Sequence, residues 1–265
     1  MSETSVPGFY ADHVFISLSG GLDSTCLMMA MLASGKTVHA ISFKYGQKHS
    51  IELKKVAKNI KFLQKLGMPV DHHIVDLTSA FALSQSSLHS NSTLSIPHDK
   101  YDSKNQRSTV ISNRNVIFSA IIYGMALDTA TKINGNVLIS MGVHSNDNSV
   151  YPDCRPESVK MAAELYHISN WNSDRVEYVA PFVNLNKGEV LQAGIAAMES
   201  MSMKKAAIKK VLSNTLSCYD VDEQGRSCGR CGTCQERRAA FKMVGMTDPI
   251  EYKEPEENLP EVESL

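Results

Sequence analysis

What this chain lacks narrows its function before any motif is read. Over 265 residues the formal net charge is -1, so no global basic field advertises a nucleic-acid partner. The opening segment MSETSVPGFYADH has no basic stretch followed by an apolar core, and no run approaches the roughly 18 apolar residues of a membrane helix. The expectation is a cytoplasmic protein with no membrane partner. Cysteine is sparse, six residues in all. In a reducing compartment these are not expected to pair as disulfides, so a cluster among them points to metal or to catalysis. Internal repeats are absent too. What remains, 43% hydrophobic and 21% charged residues, suits one main globular domain with a small appendage.

Short β-rich apolar runs alternate with longer helical segments, which predicts an α/β fold with a parallel sheet flanked by helices. Strands are expected at 13–18, 37–43, 71–77, 136–143 and 176–182, and helices at 24–34, 51–66, 113–132, 156–168 and 187–198. The serine-rich stretch 78–112 is long for a compact domain and reads either as a lid over a site or as a mobile surface loop. The division expected is an α/β domain over 1–210, a cysteine-rich region over 211–250 and an acidic, disordered tail over 251–265.

One glycine-rich loop, SLSGGLDST at residues 17–25, follows the first strand but lacks the lysine of the common phosphate loop. Gly20 and Gly21 allow a sharp turn and a close approach to a ligand, and the helix that follows aims unpaired N–H groups at the same place. Ser19, Ser24 and Thr25 add hydroxyl donors. Asp23 suits an anion site only if it holds a cation, and Mg²⁺ bridging carboxylate and phosphates resolves that conflict. The plainer reading is a helix capped after a glycine turn. The loop resembles the S-G-G-x-D-S pyrophosphate loop of the ATP pyrophosphatase superfamily, which cleaves ATP between the α and β phosphates. That resemblance accounts for the missing lysine, since such a loop grips departing pyrophosphate.

Near the C-terminus, Cys218 precedes Cys228, Cys231 and Cys234. Two consecutive C-x-x-C turns and a fourth thiolate from a separate loop suit a closed, tetrahedral, structural zinc site, with an iron–sulfur cluster as the competing reading. Arg226, Arg230, Arg237 and Arg238 lie close enough in sequence to offset the thiolate charge. Cys26 reads as a small core residue and Cys154 as a buried inert thiol.

Together with FKYGQKHSIEL (43–53), NRNVIFSAIIYGMA (113–126), GVHSNDNSVYPDCRPE (142–157) and PFVNLNKGEV (181–190), these motifs resemble the QueC family of 7-cyano-7-deazaguanine synthases across roughly residues 13–245. The resemblance implies an adenine nucleotide alpha hydrolase-like, Rossmann-like fold and an ATP-dependent ligase. That enzyme adenylates 7-carboxy-7-deazaguanine, forms the amide with ammonia, then adenylates again to give the nitrile. It implies ATP contacts along Ser17, Leu18, Ser19, Gly20, Gly21, Leu22, Asp23, Ser24 and Thr25, and from Ser42 and Tyr45. Asp23, Ser24 and Lys187 are the expected catalytic residues, Lys187 neutralising charge on the phosphates. For the deazaguanine, Asp147 or Asp153 is expected to accept from the ring donors, Tyr151 to stack, and Arg114 or Arg155 to meet the carboxylate, with Asn115 beside them. Mg²⁺ with ATP, structural Zn²⁺ and a homodimer are also implied.

The chain departs from the family where V-P-G-R-N becomes ISNRN and where D-Y-S-G-Y becomes DNSVY. Replacing glycine by Val150 would close any left-handed backbone there. Altered pocket residues beside intact adenylation residues leave open a relative that halts at the amide or conjugates the acid to an amine on a protein or nucleic acid, as in antiviral defence. A binding module without turnover is the third reading.

Overall fold

The structure is a computed structural model, and it describes residues 9–48, 51–98 and 107–262. His49 of the FKYGQKHSIEL stretch falls outside the described residues, as do parts of the serine-rich stretch and of the tail.

Five strands form one parallel sheet. They are β1 (His13–Ser17), β2 (Thr37–Lys44), β3 (Asp71–Asp76), β4 (Val137–Ser140) and β5 (Val176–Val179), in the order β3-β2-β1-β4-β5. The connecting helices are α1 (Leu22–Ala33), α2 (Ile51–Lys65), α3 (Arg114–Ile133), α4 (Pro156–Ser169) and α5 (Lys187–Ser200), followed by α6 (Lys205–Ser213) and α7 (Gly232–Met243). Alternate residues of each strand face opposite ways. Val14, Ile16, Val38 and Ala40 pack with α1 and α5, while Phe15, Ile41, Phe43 and Ile139 pack with α3. Both faces are thus covered, as expected of a parallel sheet whose strands read as near-continuous apolar runs.

The five expected strands and five expected helices all occur, within a few residues of their expected limits. β5, expected to reach residue 182, ends at Val179, and β4, expected to reach residue 143, likewise ends three residues short at Ser140. Gly142 accounts for the early end of β4: a Cβ there would stand 3.1 Å from the Ser24 backbone nitrogen. The chain leaves the sheet to pass across the start of α1. Helix α1 also lies tightly on α5, where a Cβ on Gly194 would come 2.5 Å from the Cys26 sulfur. Cys26 is fully buried there, a core residue as expected.

Two expectations need correction. The segment Arg107–Ile133, which contains α3, is by length and composition apolar enough to cross a membrane. A run of this kind was not expected, because its apolar residues are interspersed with serine, threonine and tyrosine. Its Phe118, Ile122, Tyr123, Ala126 and Ala130 are buried in the core under the sheet. The tail also departs from expectation, since residues 251–262 pack onto the cysteine region. Ser227 donates to Glu251 and accepts from Lys253, Leu259 is buried, and Arg238 donates to the Pro260 carbonyl at 2.7 Å. Few apolar anchors suffice because backbone and arginine hydrogen bonds hold the segment.

Candidate active site

Strand order reverses at β1, whose neighbours β2 and β4 lead away on opposite sides. In such sheets the crevice beyond the carboxyl ends of the strands is where ligands bind. A cavity of about 210 Å³ opens there. From the glycine loop, Ser17, Leu18, Ser19, Gly21, Asp23 and Ser24 line it. Gly20, Leu22 and Thr25 do not. Leu22 and Thr25 are buried inside, and Gly20 makes the turn at φ +89°, where an added Cβ would meet the Glu52 carbonyl oxygen at 2.9 Å. Gly21 is the N-cap of α1 and supplies no side-chain cap, so the first N–H groups of α1 are left to a ligand at the loop. The Ser19 hydroxyl accepts from Gly21 N–H at 3.1 Å and lies 3.0 Å from the Ser24 hydroxyl.

At one end of the cavity, charges converge. Lys187 opens α5 behind a capping box in which Asn186 and Glu189 bond reciprocally. Its ammonium is buried, 3.4 Å from Asp23 Oδ2 and 3.4 Å from Glu236 Oε2. His144 lies 3.7 Å from Asp23 and 3.5 Å from Asp147. Burial pushes the Asp23 carboxyl up, but Lys187 and His144 outweigh it and hold the group well below the usual carboxylate range. Burial likewise pushes Lys187 down, and Asp23 and Glu236 more than reverse it. Both residues therefore carry full charge at neutral pH. Asp23 Oδ1 is buried with no hydrogen-bond partner among the described residues. A hard carboxylate oxygen left over beside a glycine loop fits Mg²⁺.

At the other end lie Tyr45, Glu52, Arg114, Asn115 and Tyr151. The Arg114 guanidinium sits 5.9 Å from the Tyr45 ring centroid, and the Tyr151 hydroxyl lies 2.9 Å from Thr109 and 3.1 Å from the Tyr219 hydroxyl. Three more expected site residues fall outside the cavity lining. Ser42 donates to the Leu18 carbonyl at 2.6 Å, a tie between β2 and the end of β1. Asp153 accepts the Asn115 backbone N–H at 3.1 Å, which fixes the start of α3. Arg155 is exposed at the N-cap of α4. Cys154 is buried as expected, and its burial, the largest influence on it, pushes the thiol well up and keeps it protonated; it nonetheless touches the cavity.

Both departures from the family pattern prove conformationally mild. Asn113 takes the left-handed conformation at φ 59°, which asparagine tolerates better than other residues with a side chain. Val150 lies at φ -105°, where a β-branched residue is under no strain. The serine-rich stretch, in its described parts, packs as a wall. His89 bonds the Tyr45 carbonyl at 3.1 Å, Lys48 donates to Leu94 at 3.0 Å, and Leu88 reaches the cavity.

The four clustered cysteines are buried, with sulfurs all within 4.8 Å of one another. Two sulfur pairs stand 3.9 and 4.0 Å apart, close to the edge of about 3.8 Å that Zn–S bonds of 2.3 Å give in a tetrahedron. Three of the nearby arginines pair directly with carboxylates, not with the sulfurs they were expected to offset. Arg226 pairs with Asp222, Arg230 with Glu254 and Arg237 with Asp248, whereas the sulfurs accept backbone N–H bonds from Asp220, Cys228, Arg230 and Cys231. Carboxylates compete better for guanidinium because they offer two oxygens in its plane. Helix α7 has Cys231 as its N-cap and carries Glu236 to Lys187.

Sequence reasoning passed over Glu52, His144, Glu236 and Tyr219. Each lies within or beside a quoted motif, but a carboxylate at a helix start and a glutamate after a cysteine read as surface residues until the fold brings them to the cavity.

A glycine loop without lysine at the reversal of a parallel sheet, with a buried aspartate and lysine facing it, defines an α/β protein of the ATP pyrophosphatase class. Within that class the chain belongs to the QueC family: the family model described as "Queuosine biosynthesis protein QueC" matches residues 13–245. It is 38% identical over 249 residues to a 7-cyano-7-deazaguanine synthase of Marinomonas sp., covering 92% of this chain and 99% of that relative. It is 35% identical to the enzyme of the same name from Pseudoalteromonas translucida, covering 91% and 98%. Among solved structures, NMN synthetase from Francisella tularensis aligns over 89% of this chain and 79% of that one, with a TM-score of 0.40 and 14% identity.

Proposed function

We propose that the protein is an ATP-dependent ligase that converts 7-carboxy-7-deazaguanine with ammonia, through the amide, to 7-cyano-7-deazaguanine, releasing AMP and pyrophosphate. The observation that carries this reading is the Asp23–Lys187 pair facing the glycine loop inside the span matched by the QueC model. The substrate carboxylate attacks the α-phosphate of ATP, and pyrophosphate leaves toward Ser19, Gly21, Ser24 and the open N–H groups of α1. Lys187 neutralises the charge that develops on the phosphates. Mg²⁺ would be held by Asp23, supplying charge neutralisation across the phosphates. Ammonia then displaces AMP from the acyl group. A second adenylation, on the amide oxygen, lets that oxygen depart with AMP and leaves the nitrile. Tyr45 faces the adenosine, and the cavity walls exclude water from the acyl adenylate.

The cysteine cluster is read as a structural Zn²⁺ site, with region 211–250 as its subdomain appended to the 1–210 domain. A cytoplasmic homodimer completes the proposal. The deciding experiment incubates the protein with ATP, 7-carboxy-7-deazaguanine and ammonium, follows pyrophosphate and identifies products by mass spectrometry. The expected product is the nitrile; amide alone, or a stalled adenylate, refutes the synthase reading.

A further inference from the structure

We propose that Glu52 reads the amino-pyrimidinone edge of the substrate: its carboxylate accepts from the ring N–H and the exocyclic amine, while Arg114 donates to the ring carbonyl. This inference rests on the functional reading above.

Among the described residues, three carboxylates line the cavity, Asp23, Glu52 and Asp147. Asp23 lies 3.4 Å from Lys187 and Asp147 lies 3.5 Å from His144, so both already have cationic partners. Asp153, the other carboxylate expected to meet the base, is turned away to the start of α3. Glu52 differs from all of these. Among the described residues, nothing donates a hydrogen bond to its carboxylate, and Arg114 acts on it as a neighbouring charge without closing an ion pair. Burial, the dominant influence, pushes this carboxyl up to about 7, against the opposing pull of Arg114. A half-buried carboxylate that faces the cavity without a donor from the described residues is open to the donors a ligand brings.

The chemistry of the reactants selects that ligand. A guanine-type ring presents, in order, an exocyclic amine, a ring N–H and a carbonyl oxygen. Two carboxylate oxygens followed by a guanidinium offer acceptor, acceptor and donor. Adenine presents an amine next to a bare ring nitrogen and cannot satisfy both oxygens of an ionised carboxylate. The position agrees as well. The acid group on C7 projects from the side of the bicycle away from the amine and ring N–H. Anchoring that edge at Glu52 directs the acid toward the Asp23–Lys187 end. Phe43, Tyr45 and Phe118 line the Glu52 end and give the ring apolar faces to lie on. The first turn of α2, which carries Glu52, also packs on Gly20. One contact thus sets the base-reading residue relative to the phosphate loop.

The test uses the full, metal-loaded chain, with α,β-methylene-ATP as the nucleotide probe. Calorimetry compares 7-carboxy-7-deazaguanine with its analogue lacking the 2-amino group, on wild type and Glu52→Gln. A bidentate pair of this kind is expected to favour the parent acid by about 5- to 150-fold in wild type. In Glu52→Gln that preference is expected to fall to near unity, with the affinity for α,β-methylene-ATP unchanged. The proposal is overturned if wild type binds the two acids equally, or if the variant keeps the wild-type preference. Loss of nucleotide affinity with the preference intact also overturns it, and places Glu52 at the nucleotide. Wild-type pyrophosphate release with the parent acid is measured first; its absence defeats the functional reading itself, an outcome separate from any result on Glu52.

Discussion

Asp23 and Glu52 are both carboxylates of one cavity, and their surroundings drive them in opposite directions. Asp23 has a lysine at 3.4 Å and a histidine at 3.7 Å, and despite its burial it is held well below the carboxylate range. Among the described residues Glu52 has the Arg114 charge nearby but no ion pair, and burial pushes it up to about 7. The difference teaches that partners, more than burial, decide what a carboxylate can do. A carboxylate locked in its charged form suits phosphates and a cation. One left without donors suits a neutral ring that brings its own.

Asp23→Ala deletes one side of the comparison and is expected to have the largest effect, loss of pyrophosphate release by a factor on the order of 10³ or more with the fold retained; pyrophosphate release and circular dichroism read the two parts. Lys187→Met makes Asp23 resemble Glu52 by removing its main counter-charge. Turnover is expected to fall about 10²- to 10³-fold, and an unchanged turnover number would refute the role given to Lys187. Cys231→Ala attacks the charged end from outside, through α7 and Glu236. Metal content by atomic absorption is expected to drop, and the C-terminal region to become protease-sensitive; full metal and stability would refute a structural site. Of the two carboxylates compared, acid pH alters Glu52, because Asp23 stays ionised. Below about pH 7 the free Glu52 carboxyl is protonated and loses an acceptor, so KM for the acid should rise up to about tenfold per pH unit as pH falls. Glu52→Gln should flatten that part of the profile.

The sheet and its five flanking helices were legible because strand and helix periods alternate cleanly in this chain. The glycine loop and the four cysteines were legible because their spacing is itself the chemistry. The substrate end was not. Asp153 and Arg155 stand in the same short motif as Tyr151, yet a 3₁₀ turn over Pro152–Cys154 sends the first to the start of α3 and leaves the second at an N-cap. Glu52 and Glu236 were hidden for the converse reason. Each belongs to a helix that is brought to the site only by packing, and no local pattern records that. Helices α6 and α7 went unassigned because cysteine turns and short length mask their period.

The close packing of α1 on α5 has a consequence for this charged end. Cys26 stands one helical turn beyond Asp23, and Gly194 two turns beyond Lys187. Where they meet, the room for a single carbon is missing, since a Cβ would fall 2.5 Å from sulfur. Gly194 therefore acts as a spacer gauge: it lets the two helices approach until carboxylate and ammonium stand 3.4 Å apart. Gly194→Ala would thicken the gauge by one methyl. It is expected to slow pyrophosphate release several-fold from a position buried beneath the site and touching no reactant.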